Sequence, residues 1–445
     1  MIELSPEMAT LIMLAGVLFG VLLGYPLALA VGALGLIIGT LLLGPSAAFE
    51  NCYSRVFDLL SNYVLLAIPL FVFMGTMLER SGIAADLYDA LYLWLGSLRG
   101  GLAVSTVLIG TIMAAAVGII GASVTMLALV ALPSMIKKGY DKSLASGSVC
   151  AGGTLGILIP PSVMLVIYGP MAAISVGKLF MAAFVPGLVL STLYCSYIIF
   201  SCLLQPAKAP PVPIEERKVP LFKKTTRLIT ALFPPGILIL SVLGVIFLGI
   251  APPTEAASIG AVAATLLAIA YRKFSFETLK VTALATVKIS GMILLIGTMC
   301  YAFVGIFISA GCGDVITRFV LIAPFGRWGA FFVVMFIIFI LGFAIEWLGI
   351  IFIMVPILNP IVPALGFNPL WFAMMVCVNL QMSFMTPPYA PAIFYLRGSL
   401  KPELGVTMGD IIRGVIPFVI LIMVGLGLCI AFPQLILWLP SKMIR

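Results

Sequence analysis

Pro160-Pro161 and Pro387-Pro388 lie 227 residues apart, each at the end of a small, polar run inside a long apolar stretch. The first run reads Gly152-Gly153-Thr154-Leu155-Gly156-Ile157-Leu158-Ile159 and continues past the prolines to Ser162. The second reads Asn379-Leu380-Gln381-Met382-Ser383-Phe384-Met385-Thr386 and continues to Tyr389. Proline removes an amide donor and interrupts the helical ladder, while glycine admits backbone angles closed to other residues. Unpaired carbonyls are the consequence. Carbonyls beside Ser and Thr hydroxyls are the oxygen donors a Na⁺ ion takes, and half-helix N-termini favour an anion. Gly156, Pro160, Ser383 and Thr386 are therefore candidate Na⁺ ligands. Thr154, Ser162, Asn379, Gln381 and Thr386 offer hydroxyl and amide groups to a small polar substrate. The competing reading for the glycines is close helix packing through small residues, and for the polar side chains interhelical hydrogen bonding.

Two further clusters sit in apolar stretches of roughly 35 residues, 101–136 and 329–364. Gly121-Ala122-Ser123-Val124-Thr125 interrupts the first and Glu346-Trp347-Leu348-Gly349 the second. Such stretches read as re-entrant hairpins, since backbone turns at membrane depth only where protein or a water-filled cavity satisfies it. The alternative is a pair of ordinary short-looped spans. The hairpin reading places Gly121, Ala122, Ser123, Glu346 and Gly349 among the Na⁺ candidates, and Ser123, Thr125 and Trp347 beside the substrate. Glu346 is the one acid read as deep in the membrane. An embedded carboxylate is costly, and so holds a cation, carries a proton or pairs with a base. If the hairpin is shallow, Glu346 lies instead at its water-exposed end.

The spacing of the prolines belongs to a duplication. Pro26 and Pro253, Pro133 and Pro360, Gly139 and Gly366, and Asp141 and Asn368 share the same separation of 227, while Asp86 and Asp314, Arg99 and Arg327, and Gly101 and Gly329 fall at 228. Duplicated membrane units interrupted at matching positions point to a secondary transporter with its site near the bilayer midplane. Composition sets the class: 63% of 445 residues are hydrophobic and 9% charged, against about 25% charged in soluble domains. With no His in the chain, imidazole catalysis and His-dependent metal sites are excluded. The eight Cys have no CxxC spacing and read as packing residues.

Apolar windows predict spans at about 9–24, 27–44, 56–77, 143–169, 179–203, 229–250, 256–271, 285–308, 370–396 and 408–432. Less apolar segments at about 80–98 and 310–326 read as interfacial arms. The fold class predicted is an all-α polytopic membrane protein: an inverted structural repeat with two re-entrant hairpins and two Pro-broken helices, in an elevator-type ion transporter. The first repeat covers 1–205, with its hairpin at 101–136 and broken helix at 143–169. A cytoplasmic linker at 206–227 follows, and the second repeat covers 228–440, with its hairpin at 329–364 and broken helix at 370–396. The acidic start, Glu3 and Glu7 without Lys or Arg, reads as the lead into a retained helix and not as a signal peptide. With the N-terminus outside, 18 of the 24 Lys and Arg fall inside, among them Arg217 and Lys218, while Lys442 and Arg445 fall outside. Ten full crossings, five in each half, put both termini in the periplasm and invert the second copy.

At this point the chain resembles the large membrane subunit (DctM-like) of TRAP transporters, the tripartite ATP-independent periplasmic transporters. The segments that carry the resemblance span nearly the whole length: Ala67-Ile68-Pro69-Leu70-Phe71, Glu79-Arg80-Ser81-Gly82, Lys138-Gly139-Tyr140-Asp141, Gly156 to Ser162, Pro186-Gly187, Pro253-Thr254-Glu255-Ala256 and Thr386-Pro387-Pro388. Gly121 to Leu127 and Leu380 to Phe384 look like the branch labelled for mannitol and chloroaromatic compounds, which includes 2-oxo acid systems. The resemblance implies Na⁺-driven uptake of a small organic acid by an elevator mechanism across the bacterial cytoplasmic (inner) membrane. It implies two partners, a periplasmic solute-binding protein (DctP-like) and a small four-helix membrane subunit (DctQ-like). No four-helix module precedes the first copy, so the small subunit is expected as a separate polypeptide. It implies no cofactor beyond Na⁺ as coupling ion and no nucleic acid. Where many relatives carry a Gly-Ser-Ser-like first tip, this chain has Gly121-Ala122-Ser123.

Two other classes compete. A self-sufficient ion-coupled carrier or channel would need no partner. A membrane-embedded enzyme would need a nucleophile–base pair or metal cluster, and the sequence offers neither.

Overall fold

The computed structural model describes residues 4–213 and 219–443. Glu3, Arg217, Lys218, Arg445 and the middle of the predicted linker lie outside the described residues. All regular structure among the described residues is helical. Among the described residues seven helices are long and apolar enough to cross a membrane, or eight when Lys142–Leu158 and Val163–Met171, bent by 40°, count as one span. Pro6–Leu22 and Leu27–Leu43 have 17 residues each, at the short end of the roughly 17–25 that cover a bilayer.

Polarity is turned inside out relative to a soluble protein. Val287, Leu240 and Ile250 are each 70% exposed, whereas Ser162, Thr154 and Gln381 are each 0% exposed. A surface of this kind suits hydrocarbon as solvent, and the few buried polar groups sit within a core that is itself mostly apolar.

The element order of the first half returns in the second. Leu27–Leu43 corresponds to Pro253–Ala270, Ala67–Arg80 to the end of Phe276–Ser309, and the arm helix Ile83–Leu95 to Cys312–Leu321. Gly101–Val117 and Ile120–Val130 form a hairpin whose counterpart is Gly326–Leu341 with Trp347–Leu358. Lys142–Leu158 with Val163–Met171 corresponds to Pro369–Ser383 with Pro391–Ser399, and both Pro-Pro peptide bonds are cis. Val176–Leu204 corresponds to Met408–Ala431.

The halves interleave. The long helix Phe276–Ser309 packs on Leu27–Leu43, Pro45–Leu60 and Ala67–Arg80 of the first half. Gly32, Gly35 and Gly39 form the seam, facing Met299, Phe303 and Ile306 in turn. In the reverse direction Met408–Ala431 packs on Lys142–Leu158. Backbones approach closely there, where a Cβ at Gly147 would overlap the carbonyl of Gly414, and also within the first half, where one at Gly110 would lie 2.5 Å from the carbonyl oxygen of Gly152. Small residues permit this approach, which is how helices associate where lipid is as apolar as leucine. Gly152 and Gly153, facing Val107 and Val124, belong to the same packing.

Three sequence expectations shift. The window 56–77 is not one span, because Pro45–Leu60 ends at Ser61 and a 3₁₀ turn, Tyr63–Leu66, leads into Ala67–Arg80. Asn62 forces that break by accepting the amide of Val64 at 3.0 Å, the local competition that Asn offers a helix. The linker is shorter than 206–227, since the following helix starts at Leu221 behind Pro220. Its first part is also docked: Gly100 donates to Ala209, Val212 to Gly96 and Asp141 to Lys208.

Candidate functional site

Gly118 and Ile119 form the break of the first hairpin, two residues before the predicted tip, and Gly121, Ala122 and Ser123 lie in the first turn of the next helix. Gly118 has φ +66, a left-handed angle at which only glycine is free of strain. A Cβ there would sit 3.2 Å from the carbonyl oxygen of Pro161. The first tip thus rests on the first Pro-Pro break. The second hairpin repeats this arrangement: its break runs from Gly342 to Glu346, and a Cβ at Gly342 would overlap Ser383, just before the second Pro-Pro pair. Between the tips, Gly121 packs on the ring of Tyr395.

These pieces enclose a cavity of about 60 Å³. Its walls are Gly118 to Gly121 from the first tip, Ile157 and Val163 from either side of the first break, Glu346 to Leu348 from the second tip, Pro391 and Tyr395 from beyond the second break, and Ile289, Met292 and Ile293 from the long helix. Four of those wall residues, Ile120, Val163, Trp347 and Pro391, are the first residues of four different helices. None of the four helix starts carries a side-chain cap. At Ile120, Val163 and Trp347 the uncapped first turns leave amide donors and the positive ends of helix dipoles beside one space, whereas at Pro391 the proline has no amide and Ala392 and Ile393 donate to Phe384 and Ala390. Glu346 is the acid among them and no Lys or Arg lines the walls. The volume holds water or an ion but falls well short of the roughly 300 Å³ of a small-molecule pocket, and with Met292 48% and Tyr395 47% exposed it is a narrow cleft.

Of the residues singled out from sequence, Gly121, Glu346 and Trp347 line this cavity. Ser123 and Gln381 do not, yet both are buried with polar atoms that have no hydrogen-bond partner: the hydroxyl of Ser123 and both amide atoms of Gln381. Buried polar groups are nearly always paired in native proteins, so an unpaired amide asks for water, ion or ligand.

The other polar candidates are engaged locally. Asn379 donates to the carbonyl of Met335 at 2.8 Å and so ties the second broken helix to its hairpin. Ser162 donates to the carbonyl of Ile157, Ser383 to Leu380 at 2.7 Å and Thr386 to Met382 at 2.7 Å. Thr154 donates to Ala151 at 3.0 Å, and Thr125 accepts from Ser399 at 3.1 Å. Hydroxyls near a broken ladder thus turn back on their own or neighbouring backbone. Gly349 faces Leu27 of the scaffold. Gly156 lies in the last turn of Lys142–Leu158, Pro160 in the first break and Ala122 in the first turn of Ile120–Val130, and none of the three lines the cavity.

Sequence reasoning missed Tyr395 and the long-helix residues, and put the first tip at Gly121 to Ser123 where the break is at Gly118 and Ile119. Tyr395 had a usable signal, a hydroxylated aromatic one turn into the helix beyond the second break. Ile289, Met292 and Ile293 had none, being apolar residues in an apolar helix.

A family model described as "Tripartite ATP-independent periplasmic transporter, DctM component" matches residues 10–435. The chain belongs to the DctM family. Similar proteins include the C4-dicarboxylate TRAP transporter large permease protein DctM of Pseudomonas aeruginosa, 31% identical over 90% of this chain and 92% of that protein. The ectoine TRAP transporter large permease protein TeaC of Halomonas elongata is 26% identical over 98% of this chain and 100% of its own length. Both are permeases, as DctM proteins are, and not enzymes. Among solved structures, the Alcanivorax borkumensis YdaH transporter superposes with a TM-score of 0.61 at 16% identity, covering 96% of this chain and 99% of that one. That likeness shows the fold: an all-helical, multi-pass membrane transporter.

Proposed function

We propose that this DctM-family permease carries a small organic acid inward across the bacterial cytoplasmic membrane, driven by Na⁺, with both termini in the periplasm. A periplasmic solute-binding protein delivers the acid, and a separate four-helix subunit braces the scaffold. The observation that carries this reading is the convergence of four uncapped helix starts on the cavity that also holds Glu346. Each helix start stabilises nearby negative charge by about 0.3–1 kcal/mol, and by up to about 2 kcal/mol when partly buried. A carboxylate substrate gains from the three that keep free amides, those at Ile120, Val163 and Trp347, while an ionised Glu346 would repel it. Na⁺ resolves the conflict. Bound at Glu346 with oxygen donors from the Gly121–Ser123 turn and the breaks at Gly156 to Pro160 and Ser383 to Thr386, it cancels the fixed charge as the substrate anion enters. Ser123 and Gln381, both left without partners here, take hydrogen bonds to substrate or its water in the open form.

The corresponding order of elements in the two halves supports an inverted repeat, 1–205 and 228–440, whose hairpins and broken helices move together against the scaffold. The 60 Å³ cavity must widen several-fold to admit an organic acid, which a moving unit achieves by separating Gly118 to Gly121 from Ile289 to Ile293. Uptake in liposomes with the cognate binding protein and small subunit tests the reading. Accumulation is expected only with an inward Na⁺ gradient and the binding protein, and ATP is expected to be irrelevant. Equal uptake with K⁺ in place of Na⁺, or robust uptake without the binding protein, would overturn it and favour a self-sufficient carrier.

A further inference from the structure

A second cavity, of about 270 Å³, lies directly behind the tip of the second hairpin. It is lined by Leu14, Val17 and Leu18 of the first helix, Phe303 and Phe307 of the long helix, Ile316, Phe319 and Val320 of the arm, and residues of both hairpin legs, among them Val334, Leu341, Ile350 and Met354. Every lining residue is apolar. Ile345 and Gly349 face this space while Glu346, Trp347 and Leu348, between them in sequence, face the other cavity. The tip therefore contributes wall to both cavities.

We propose that this cavity binds an acyl chain of a membrane phospholipid. Water has no polar partner there and does not enter an apolar cavity. An empty space would forfeit the dispersion contacts of its whole lining. A cavity of about 150 Å³ lined by Leu, Ile and Phe already takes up a molecule of benzene size, so this one accommodates a run of methylenes. The source is adjacent: among the lining residues Phe319 is 61% exposed and Leu18 is half-buried, so the cavity reaches the apolar outer surface on this side. The back wall, Phe307 at 0% and Ile350 at 1% exposure, lies away from surrounding lipid. Arg318, beside Phe319, is an exposed cation at the rim and pairs with Glu7 at 3.0 Å, which leaves guanidinium donors for a phosphate oxygen. This inference stands on the cavity alone and does not depend on the identity of the transported solute or ion.

The test uses the full chain in liposomes of phosphatidylethanolamine and phosphatidylglycerol containing a phosphatidylcholine with a mid-chain diazirine. After photolysis, peptide mass spectrometry is expected to find label on the back wall, Ile350 to Ile353 and Phe303 to Phe307. Label is expected to fall at least fivefold there in a Leu18→Trp/Met354→Trp variant, whose rings fill the space, and to stay unchanged at the exposed Phe332 and Phe336. Label confined to Phe332 and Phe336, or equal back-wall label in the filled variant, would overturn the proposal. A second measurement needs no variant: after detergent exchange the wild-type protein is expected to retain about one phospholipid per chain, and retention of none would also overturn it.

Discussion

Gly118 and Glu346 stand 228 residues apart and face the same cavity. The same offset relates Gly101 to Gly329 and Gly121 to Gly349, so the duplicated fold has a glycine at one tip where it has an acid at the other. One tip thus contributes backbone and the other charge. Glu346→Gln keeps the shape and removes the charge. Uptake is expected to fall about tenfold or more, equivalent to ~1.4 kcal/mol or more of lost transition-state stabilisation, with expression and detergent stability within about twofold of wild type. Steady-state Na⁺ titration of uptake in liposomes checks it. Wild-type Na⁺ and pH dependence in the variant would remove Glu346 from the coupling mechanism.

Gly118 is predicted to tolerate no side chain. Gly118→Val places a β-branched residue at φ +66 against the Pro161 carbonyl, at a cost of about 1–3 kcal/mol. Lower thermal stability and loss of uptake are expected together. Gly291→Ala is the control, since its Cβ would meet open space within a helix. That variant is expected to be neutral or stabilising by a few tenths of a kcal/mol up to about 1 kcal/mol.

At the seam between the halves, Gly147 and Gly414 are each close enough that a Cβ would overlap the other helix's backbone. Gly147→Ala is expected to destabilise by about 1–3 kcal/mol through overpacking, seen as a lowered unfolding midpoint in detergent. A rigid backbone cannot give way as a flexible side chain would. An unchanged midpoint would mean that the helices separate at no cost there.

How much of this was readable beforehand depends on what kind of feature each residue is. The Pro-Pro breaks, Glu346 and the four hairpin legs came from sequence because proline, glycine and charge are rare and costly in an apolar helix. The competition among hydroxyls was not readable. Ser383 and Thr386 satisfy carbonyls one turn back and Asn379 one on the neighbouring hairpin leg, and only the rotamer decides that against pointing at a ligand. Ile289 and Met292 became wall residues through the interleaving of halves, which no local pattern encodes.

Each arm is pinned to the leading helix of the other half by one exposed ion pair: Arg227 donates to Asp89 at 3.4 Å, and Arg318 donates to Glu7 at 3.0 Å. The two pairs place acid and base in opposite order, the arm supplying the acid in the first and the base in the second. Solvent screening limits such pairs to about 0–1 kcal/mol. Asp89→Asn is accordingly expected to leave the unfolding midpoint nearly unchanged. A drop corresponding to more than about 1 kcal/mol would show that the arm is held by charge and not by its apolar face.

Relative motion of hairpin and scaffold gives the last prediction. Helix Pro253–Ala270 packs on Ala67–Arg80, and the scaffold residues that face the first tip are Ile289, Met292 and Ile293 of the long helix. An Ile119→Cys/Met292→Cys pair therefore bridges the moving unit and the scaffold across the cavity, after removal of the eight native cysteines and a check of Cα separation. Oxidation is expected to abolish uptake and reduction to restore it. The control keeps Cys150, whose thiol lies 3.7 Å from the carbonyl of Ala392, and adds Ala392→Cys, so that both sulfurs sit within the unit proposed to move. Crosslinking there is expected to leave at least about half of the uptake, because no boundary that slides is joined. Full uptake with a verified crosslink between the substituted Ile119 and Met292 positions would rule out the elevator motion and leave local opening of the tips as the route to the site.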